Sequence, residues 1–287
     1  MTVQKQLLAP AKINLTLRVV GRRGDGYHLL ESIMVYLPLY DTLAFSLRTD
    51  RQITLRCEPE VTVAAEENLV FQAAQQLQQQ AGVQQGVDIQ LKKSIPHGAG
   101  LGGGSSDCAT TLLALNQLWG VGWSSARLRQ LGVTLGADVP IFLLGQGALA
   151  EGVGEQLTPI AKLPSWPLVV VNPGVALSTV EVFKAHAKRV AGRYSEPGEG
   201  RGWLELPELE PTILCNDLTA DATGLCPQVA QALELLNDSG AMAAEMSGSG
   251  ATVYGVYESR ELAQKASEIL QAKQPQWLVL QTEILND

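Results

Sequence analysis

The 287-residue chain is poor in cysteine, histidine and aromatic rings, and it carries no excess of positive charge. Its four cysteines, Cys57, Cys108, Cys215 and Cys226, stand singly, with no CxxC pair and no histidine at zinc-ligand spacing. Neither a zinc module nor a disulfide framework is therefore expected, and the thiols read as reduced, mostly buried groups. Lys and Arg number 21 against 29 Asp and Glu, a formal charge of −8. That balance argues against general binding to nucleic acid or anionic membranes, which needs a basic face. No run approaches the roughly eighteen apolar residues of a membrane span, and the first residues lack a signal core or transit character. A soluble cytoplasmic protein is the expectation. There is no repeat of fixed period, and no GxxxxGK[ST], which excludes a Walker-type phosphate loop.

What is present is a globular composition, 46% hydrophobic and 17% charged, in a chain long enough for one large or two ordinary domains. Its most pronounced local feature is residues 96–107, PHGAGLGGGSSD, with five glycines in the seven positions 98–104. The alternating run Val87, Ile89, Leu91 precedes it, and a helical pattern through Cys108, Leu112, Leu115 and Trp119 follows. A glycine-rich turn between a strand and a helix can point successive backbone N–H groups inward, and the helix start at Ser105 or Ser106 adds unpaired donors and a positive dipole end. Phosphate is the anion such a turn suits. Gly98, Gly100 and Gly103 also satisfy GxGxxG, but four residues separate the strand from the first glycine and no carboxylate stands near residues 123–126, so a dinucleotide fold is disfavoured.

Along the chain, residues 7–20 read as a half-buried strand with Ile13, Leu15, Leu17 and Val19 inward. Residues 21–28, GRRGDGYH, read as a loop, and strands follow at 32–37, 42–48 and 53–57. A helix is predicted over 66–80, a strand over 87–92, then the glycine loop with its helix to about 119, and a helix over 124–135. Residues 141–144 read as an apolar strand introduced by Ala137-Asp138-Val139-Pro140. Three prolines in 159–167 suggest a domain edge, dividing the chain into 1–160 and 161–287. Beyond it a strand at 168–171, helices at 179–190 and 227–237, a second glycine turn at 246–250, a strand at 252–256, a helix capped by Ser259 with Leu262, Ala266 and Ile269 inward, and a strand at 277–282 are predicted. Residues 193–202 have the composition of a mobile loop. Strands and helices mix without a steady βαβ period, so the expected class is α+β.

Three sets of residues could carry chemistry. Lys12 and Asn14 on one strand face, beside a phosphate loop, suit charge neutralisation and orientation of a transferring phosphoryl group, or else form a solvated pair on an edge strand. Asp138, between Gly136 and Pro140, is placed to accept a proton from a hydroxyl, or is a turn aspartate. Tyr27, His28 and Phe183 are rings that could stack on a base or simply anchor loops.

Four stretches together resemble the GHMP kinase superfamily: PAKINL (10–15) with GDGYH (24–28), PHGAGLGGGSSD, LGADVPIF (135–142) and MSGSGATVYG (246–255). Within it they are most similar to the kinases acting on 4-diphosphocytidyl-2-C-methyl-D-erythritol. The resemblance implies ATP-dependent phosphorylation of that compound's 2-hydroxyl in the methylerythritol phosphate route. It also implies two domains, one like ribosomal protein S5 domain 2 and one ferredoxin-like. By motif it puts the catalytic pair on Lys12 and Asp138. ATP falls to Pro96, His97, Gly98, Ala99, Gly100, Leu101, Gly102, Gly103, Gly104, Ser105 and Ser106, with Asn68 near the adenine. Substrate falls to Asn14, Tyr27, His28, Thr179, Phe183, Gly248, Ser249 and Gly250. Magnesium is expected with ATP, but glycines stand where many relatives have a metal-binding serine, so no protein ligand is assigned.

Overall fold

The computed structural model describes residues 5–59, 64–206 and 208–285. In chain order its strands are β1 Lys5–Asn14, β2 Thr16–Arg22, β3 His28–Leu47, β4 Ile53–Glu58, β5 Val87–Lys92, β6 Ala148–Gly152, β7 Gln156–Pro159, β8 Pro167–Asn172, β9 Cys215–Asn216, β10 Ala243–Met246, β11 Val253–Val256 and β12 Leu278–Glu283. Its α-helices are α1 Leu69–Ala81, α2 Gly103–Leu118, α3 Ser125–Leu135, α4 Val139–Leu144, α5 Thr179–Val190, α6 Glu199–Leu204, α7 Thr219–Leu225, α8 Pro227–Asp238 and α9 Arg260–Lys273. Among the described residues no helix is long and apolar enough to cross a membrane.

The chain forms two compact units that interleave in sequence. The first comprises Met1–Ala11, Leu39–Ile95 and Gly102–Gly145; the second Lys12–Pro38, Pro96–Leu101 and Gln146–Asp287. In the first, β4 runs parallel to β5, and β5 runs antiparallel to the second half of β3, pairing Leu43 with Leu91 and Phe45 with Ile89. Helices α1 and α2 pack on each other, and α1 also packs on β4. Asn68 caps α1 by accepting from Val70 N, and Gly82 ends the helix in the left-handed conformation. The inward face of α1 is Val70, Ala73, Ala74 and Leu77.

In the second unit, β8, β10, β11 and β12 form an antiparallel sheet in the order β10-β11-β8-β12, with α8 and α9 packed on it. Taken with α8 and α9, these strands run β-α-β-β-α-β, the split arrangement of ferredoxin-like folds. Its core joins Val169, Val171, Val229, Leu236, Val253 and Leu270. The same unit holds β2 antiparallel to the first half of β3, β6 on that half of β3, the β6–β7 hairpin, and β9 parallel to β2.

Several sequence expectations change. The strand expected over 7–20 breaks at Leu15 into β1 and β2, and it is not half-buried: Lys12, Asn14 and Thr16 are covered as completely as Ile13 and Leu17. The strands expected at 32–37 and 42–48 are one strand, β3, because Pro38 leaves the extended conformation intact. Residues 139–144 form a short helix rather than a strand; an apolar run of this length fits either, and Pro140 is tolerated in a first helical turn. Helix α2 begins at Gly103, before the serines expected to start it. The glycine-punctuated stretch after 145 is the β6–β7 hairpin. Residues 193–202 are tied down: Ser195 N donates to Val19 O, and Gly198 N and Gly200 N donate to the buried carboxylate of Glu31 at the start of α6. In α9 the inward residues are Ala263, Ala266 and Leu270, while Leu262 and Ile269 are exposed. The small alanines let this helix approach its sheet closely, which a preference for large apolar residues does not register.

Candidate active site

Strand β1 delivers a lysine into the interior of the second unit, a placement that requires polar company. Lys12 is only 3% exposed, and its Nζ donates to Asn14 Oδ1 at 2.6 Å. Asn14 Nδ2 donates to Ser32 Oγ at 2.7 Å, and that hydroxyl donates to Thr16 O at 2.6 Å. The chain thus fixes which way the asparagine amide points: its oxygen faces the ammonium and its nitrogen faces β3.

Both glycine turns meet this pair. Lys12 N donates to Leu101 O at 2.9 Å, so the loop's last residues in this unit are hydrogen-bonded to the strand carrying the lysine. Ser247 Oγ accepts from Asn14 N at 3.2 Å and donates to Gly100 O at 2.9 Å. Gly100 has φ +76°, and a Cβ there would overlap the carbonyl oxygen of Ser247, so only glycine permits this approach. From the second turn, Gly248 sits with its missing Cβ position 3.4 Å from Asn14 Oδ1. The turn is itself held by Asn216, whose Nδ2 donates to Met246 O and Gly248 O, each at 2.8 Å. Ser249 Oγ pairs with Thr179 Oγ1 at 2.8 Å.

The ring residues also belong to this unit. His28 stacks on Phe183 with centroids 4.8 Å apart and planes inclined at 23°. Burial lowers the His28 pKa, helped by Arg22 and His186, which favours the neutral imidazole. Tyr27 stands apart from this stack in character: it is 63% exposed.

In the first unit, the residue before α2, Gly102, is left-handed and offers no side-chain cap to the helix's first-turn N–H groups. Ser106, a buried residue of that turn, has a hydroxyl without a hydrogen-bond partner among the described atoms. Uncapped donors and an unsatisfied hydroxyl beside a glycine loop are what a phosphate chain would engage. Gly104 and His97 are exposed, and Ala99 and Leu101 are buried. Asp138 stands at the start of α4, and Gly136, two residues before it, places its missing Cβ position 3.7 Å from Ser105 Oγ. The first unit thereby sets the turn carrying Asp138 beside the first turn of α2. Asn68 is here a helix cap, its Nδ2 lying 3.8 Å from Cys57 Sγ. Lys12 and Asp138 belong to different units.

Sequence reasoning missed the groups that hold these parts. Ser32, Asn216 and Ser247 are buried polar residues, and only Ser247 falls in one of the four motif stretches. Asp41, wholly buried, accepts from Ser94 N and Ile95 N, directly before the glycine loop. It pairs with Lys93, which also donates to Asp107 of α2 at 2.7 Å. This carboxylate-lysine-carboxylate clamp joins the end of β5 to the start of α2. Burial pushes the Asp107 carboxyl up to about 7, with Lys93 opposing and Asp41 reinforcing the rise.

Family models match the chain at residues 68–146, as the GHMP kinases N terminal domain, and at 204–276, as GHMP kinases C terminal. A 4-diphosphocytidyl-2-C-methyl-D-erythritol kinase of Pseudomonas syringae pv. syringae is 44% identical over 269 residues, covering 94% of this chain and 91% of the relative. The chain belongs to the 4-diphosphocytidyl-2-C-methyl-D-erythritol kinase family. The enzyme of that name from Chelativorans is 38% identical over 97% of this chain and 95% of its own length. A crystal structure of a 4-(cytidine 5'-diphospho)-2C-methyl-D-erythritol kinase superposes with a TM-score of 0.81 at 36% identity, covering 98% of this chain and all of the other. Homoserine kinase from Cytophaga hutchinsonii, at 17% identity and a TM-score of 0.73 over 99% of this chain and 96% of its own, shares the fold. Membership of this kinase family accords with the α+β class and the two-domain GHMP architecture expected from the four motifs.

Proposed function

We propose that the chain uses ATP to phosphorylate the 2-hydroxyl of 4-diphosphocytidyl-2-C-methyl-D-erythritol, releasing ADP and the 2-phosphate. The observation that carries this reading is the buried Lys12–Asn14 pair, hydrogen-bonded to both glycine turns, in a chain 44% identical to kinases of that name. A buried ammonium on a strand hydrogen-bonded to the turns of a phosphate-suited loop is placed to offset charge on a transferring phosphoryl group.

In this reading residues 96–106 hold the phosphates of ATP through backbone donors, with Asn68 near the adenine. Asp138 receives or polarises the proton of the 2-hydroxyl, and Lys12 offsets charge on the group in flight. Asn14 fixes the lysine and supports the substrate, with Thr179, Gly248, Ser249 and Gly250 beside it. The pyrimidine is recognised by Tyr27, His28 and Phe183; the His28–Phe183 stack supports this assignment. Mg²⁺ comes with ATP and is held mainly by its phosphates and water, in keeping with that ion's retention of water ligands. Residues 1–160 are the ATP-binding half and 161–287 the substrate-side half, with Asn14, Tyr27 and His28 joining the substrate residues from the first.

The deciding experiment measures ADP release with Mg-ATP and, in turn, the cytidylated compound, methylerythritol 4-phosphate, mevalonate and homoserine. Turnover confined to the cytidylated compound is expected. Turnover with another alcohol would keep the kinase and remove the base site.

A further inference from the structure

Beside the stacked rings lies an ionic cluster with a buried centre, outside the residues assigned above to phosphoryl transfer. His186 lies on α5, one turn beyond Phe183, and is 2% exposed. Its Nδ1 is 3.0 Å from Asp221 Oδ2 on α7. Arg189 grips the same carboxylate with two nitrogens of one guanidinium edge, Nε to Oδ1 at 2.8 Å and Nη2 to Oδ2 at 2.9 Å, and also donates to Asp217 O at 2.9 Å. Burial alone would raise the Asp221 pKa, but the hydrogen bonds from Arg189 and His186 outweigh it and hold the carboxyl below its ordinary value. An ionised carboxylate only accepts, so the shared hydrogen bond puts the proton on His186 Nδ1. The approach of Arg189 Nη2 to that nitrogen, 3.2 Å, is then donor against donor and adds no bond.

The cluster reaches the stacked rings by two routes. Phe183 and His186 lie three residues apart on α5, on neighbouring positions of one helix face, so tying His186 to α7 also fixes the rotation of α5 that aims Phe183 at His28. Tyr194 bridges the two imidazoles, its ring 6.2 Å from His28 at 69° and 6.4 Å from His186 at 32°. The Nε2 atoms of both histidines are buried without a partner among the described atoms. Orphaned buried nitrogens are costly and tend to persist at functional sites.

We infer that His186, held by Asp221 and Arg189, is a positioning residue for recognition of the pyrimidine: it fixes the Phe183–His28 stack without touching the transferring phosphoryl group. This rests on the base site proposed above.

The test compares steady-state constants of the natural chain with those of His186→Phe, which keeps a ring against Tyr194 and loses the bond to Asp221. KM for the cytidylated substrate should rise about tenfold, with KM for ATP and kcat within about twofold. Arg189→Gln, altered at a side chain 48% exposed, should give the same split in smaller degree, and it decides the matter if His186→Phe does not fold. Unchanged constants, or equal losses toward ATP and substrate, would overturn the inference. Phe183→Ala separates the positioning role from the base site it serves. If it raises KM for the cytidylated substrate and the His186 and Arg189 variants do not, only the positioning role falls; if it leaves KM unchanged, the base site itself is wrong.

Discussion

Asp138 and Lys12 illustrate how little a single residue's spacing discloses and how much its burial does. In sequence, Lys12 next to Pro10 and Ala11 is equally a surface lysine and a catalytic one. In the structure it is buried with Asn14 as an oriented partner, a costly arrangement for a group with no function. Asp138 differs, because its candidacy comes from the LGADVPIF motif and its position at the start of α4. If it handles the hydroxyl proton, Asp138→Asn should leave ATP binding within about threefold and lower kcat by about 10² or more, the range for a positioned acid or base. Titration of binding by nucleotide fluorescence alongside turnover checks this. Parallel loss of both would make Asp138 a structural turn residue.

At the scale of elements, the glycine loop is legible because five glycines between a strand pattern and a helix pattern suit a backbone anion site and little else. Its supports are not. Nothing in the local sequence joins Asp41 to Ser94 and Ile95, or Ser247 to Asn14 and Gly100, since each bond spans more than fifty residues. Helix α4 escapes a sequence reading for a local reason, a six-residue apolar run that carries no period. The inward alanines of α9 escape it because residue size is a poor guide to burial where a helix lies close on its sheet. The loop's geometry gives a direct test. Gly100→Ala combines a left-handed backbone with overlap of the Ser247 carbonyl, whereas Gly120→Ala, at φ +63° with no atom within 4 Å, meets only the backbone cost. That cost is about 1–2 kcal/mol. Gly100→Ala should therefore destabilise by at least about 1 kcal/mol more than Gly120→Ala in urea unfolding, and should lower turnover at least tenfold while Gly120→Ala does not. Equal stability losses would mean the loop yields to a methyl group, and the close approach to Ser247 would not be what requires glycine.

For the molecule as a whole, net charge says little about the pH response, because the acidic excess is mostly exposed and screened. The buried clamp of Asp41, Lys93 and Asp107 says more. The Asp107 carboxyl is raised in the folded chain to about 7, from an ordinary 3.8. Between those values the folded protein holds a proton that the unfolded chain has released, so unfolding sheds protons and stability declines as pH rises across that window. Below about 4 both states are protonated, and above about 7 both are ionised, so the contribution is flat at either end. Lys93 limits the effect, since its own pKa is raised: burial pulls it down, but the two carboxylates outweigh burial. Asp107→Asn keeps the size of the side chain and removes its titration. The difference in stability between this variant and the natural chain should shift in the variant's favour by about 3 kcal/mol from pH 4.5 to pH 7.5, read from urea midpoints at each pH. Removing the cation should act in the opposite sense: Lys93→Met leaves two carboxyls buried together, and destabilises by about 3–5 kcal/mol at pH 7.5. That loss should shrink toward pH 4.5, where Asp107 takes up its proton and one of the facing charges disappears. A pH-independent difference for Asp107→Asn would place the carboxyl's titration outside this window and leave the clamp an ordinary ion pair, fully ionised across the working range.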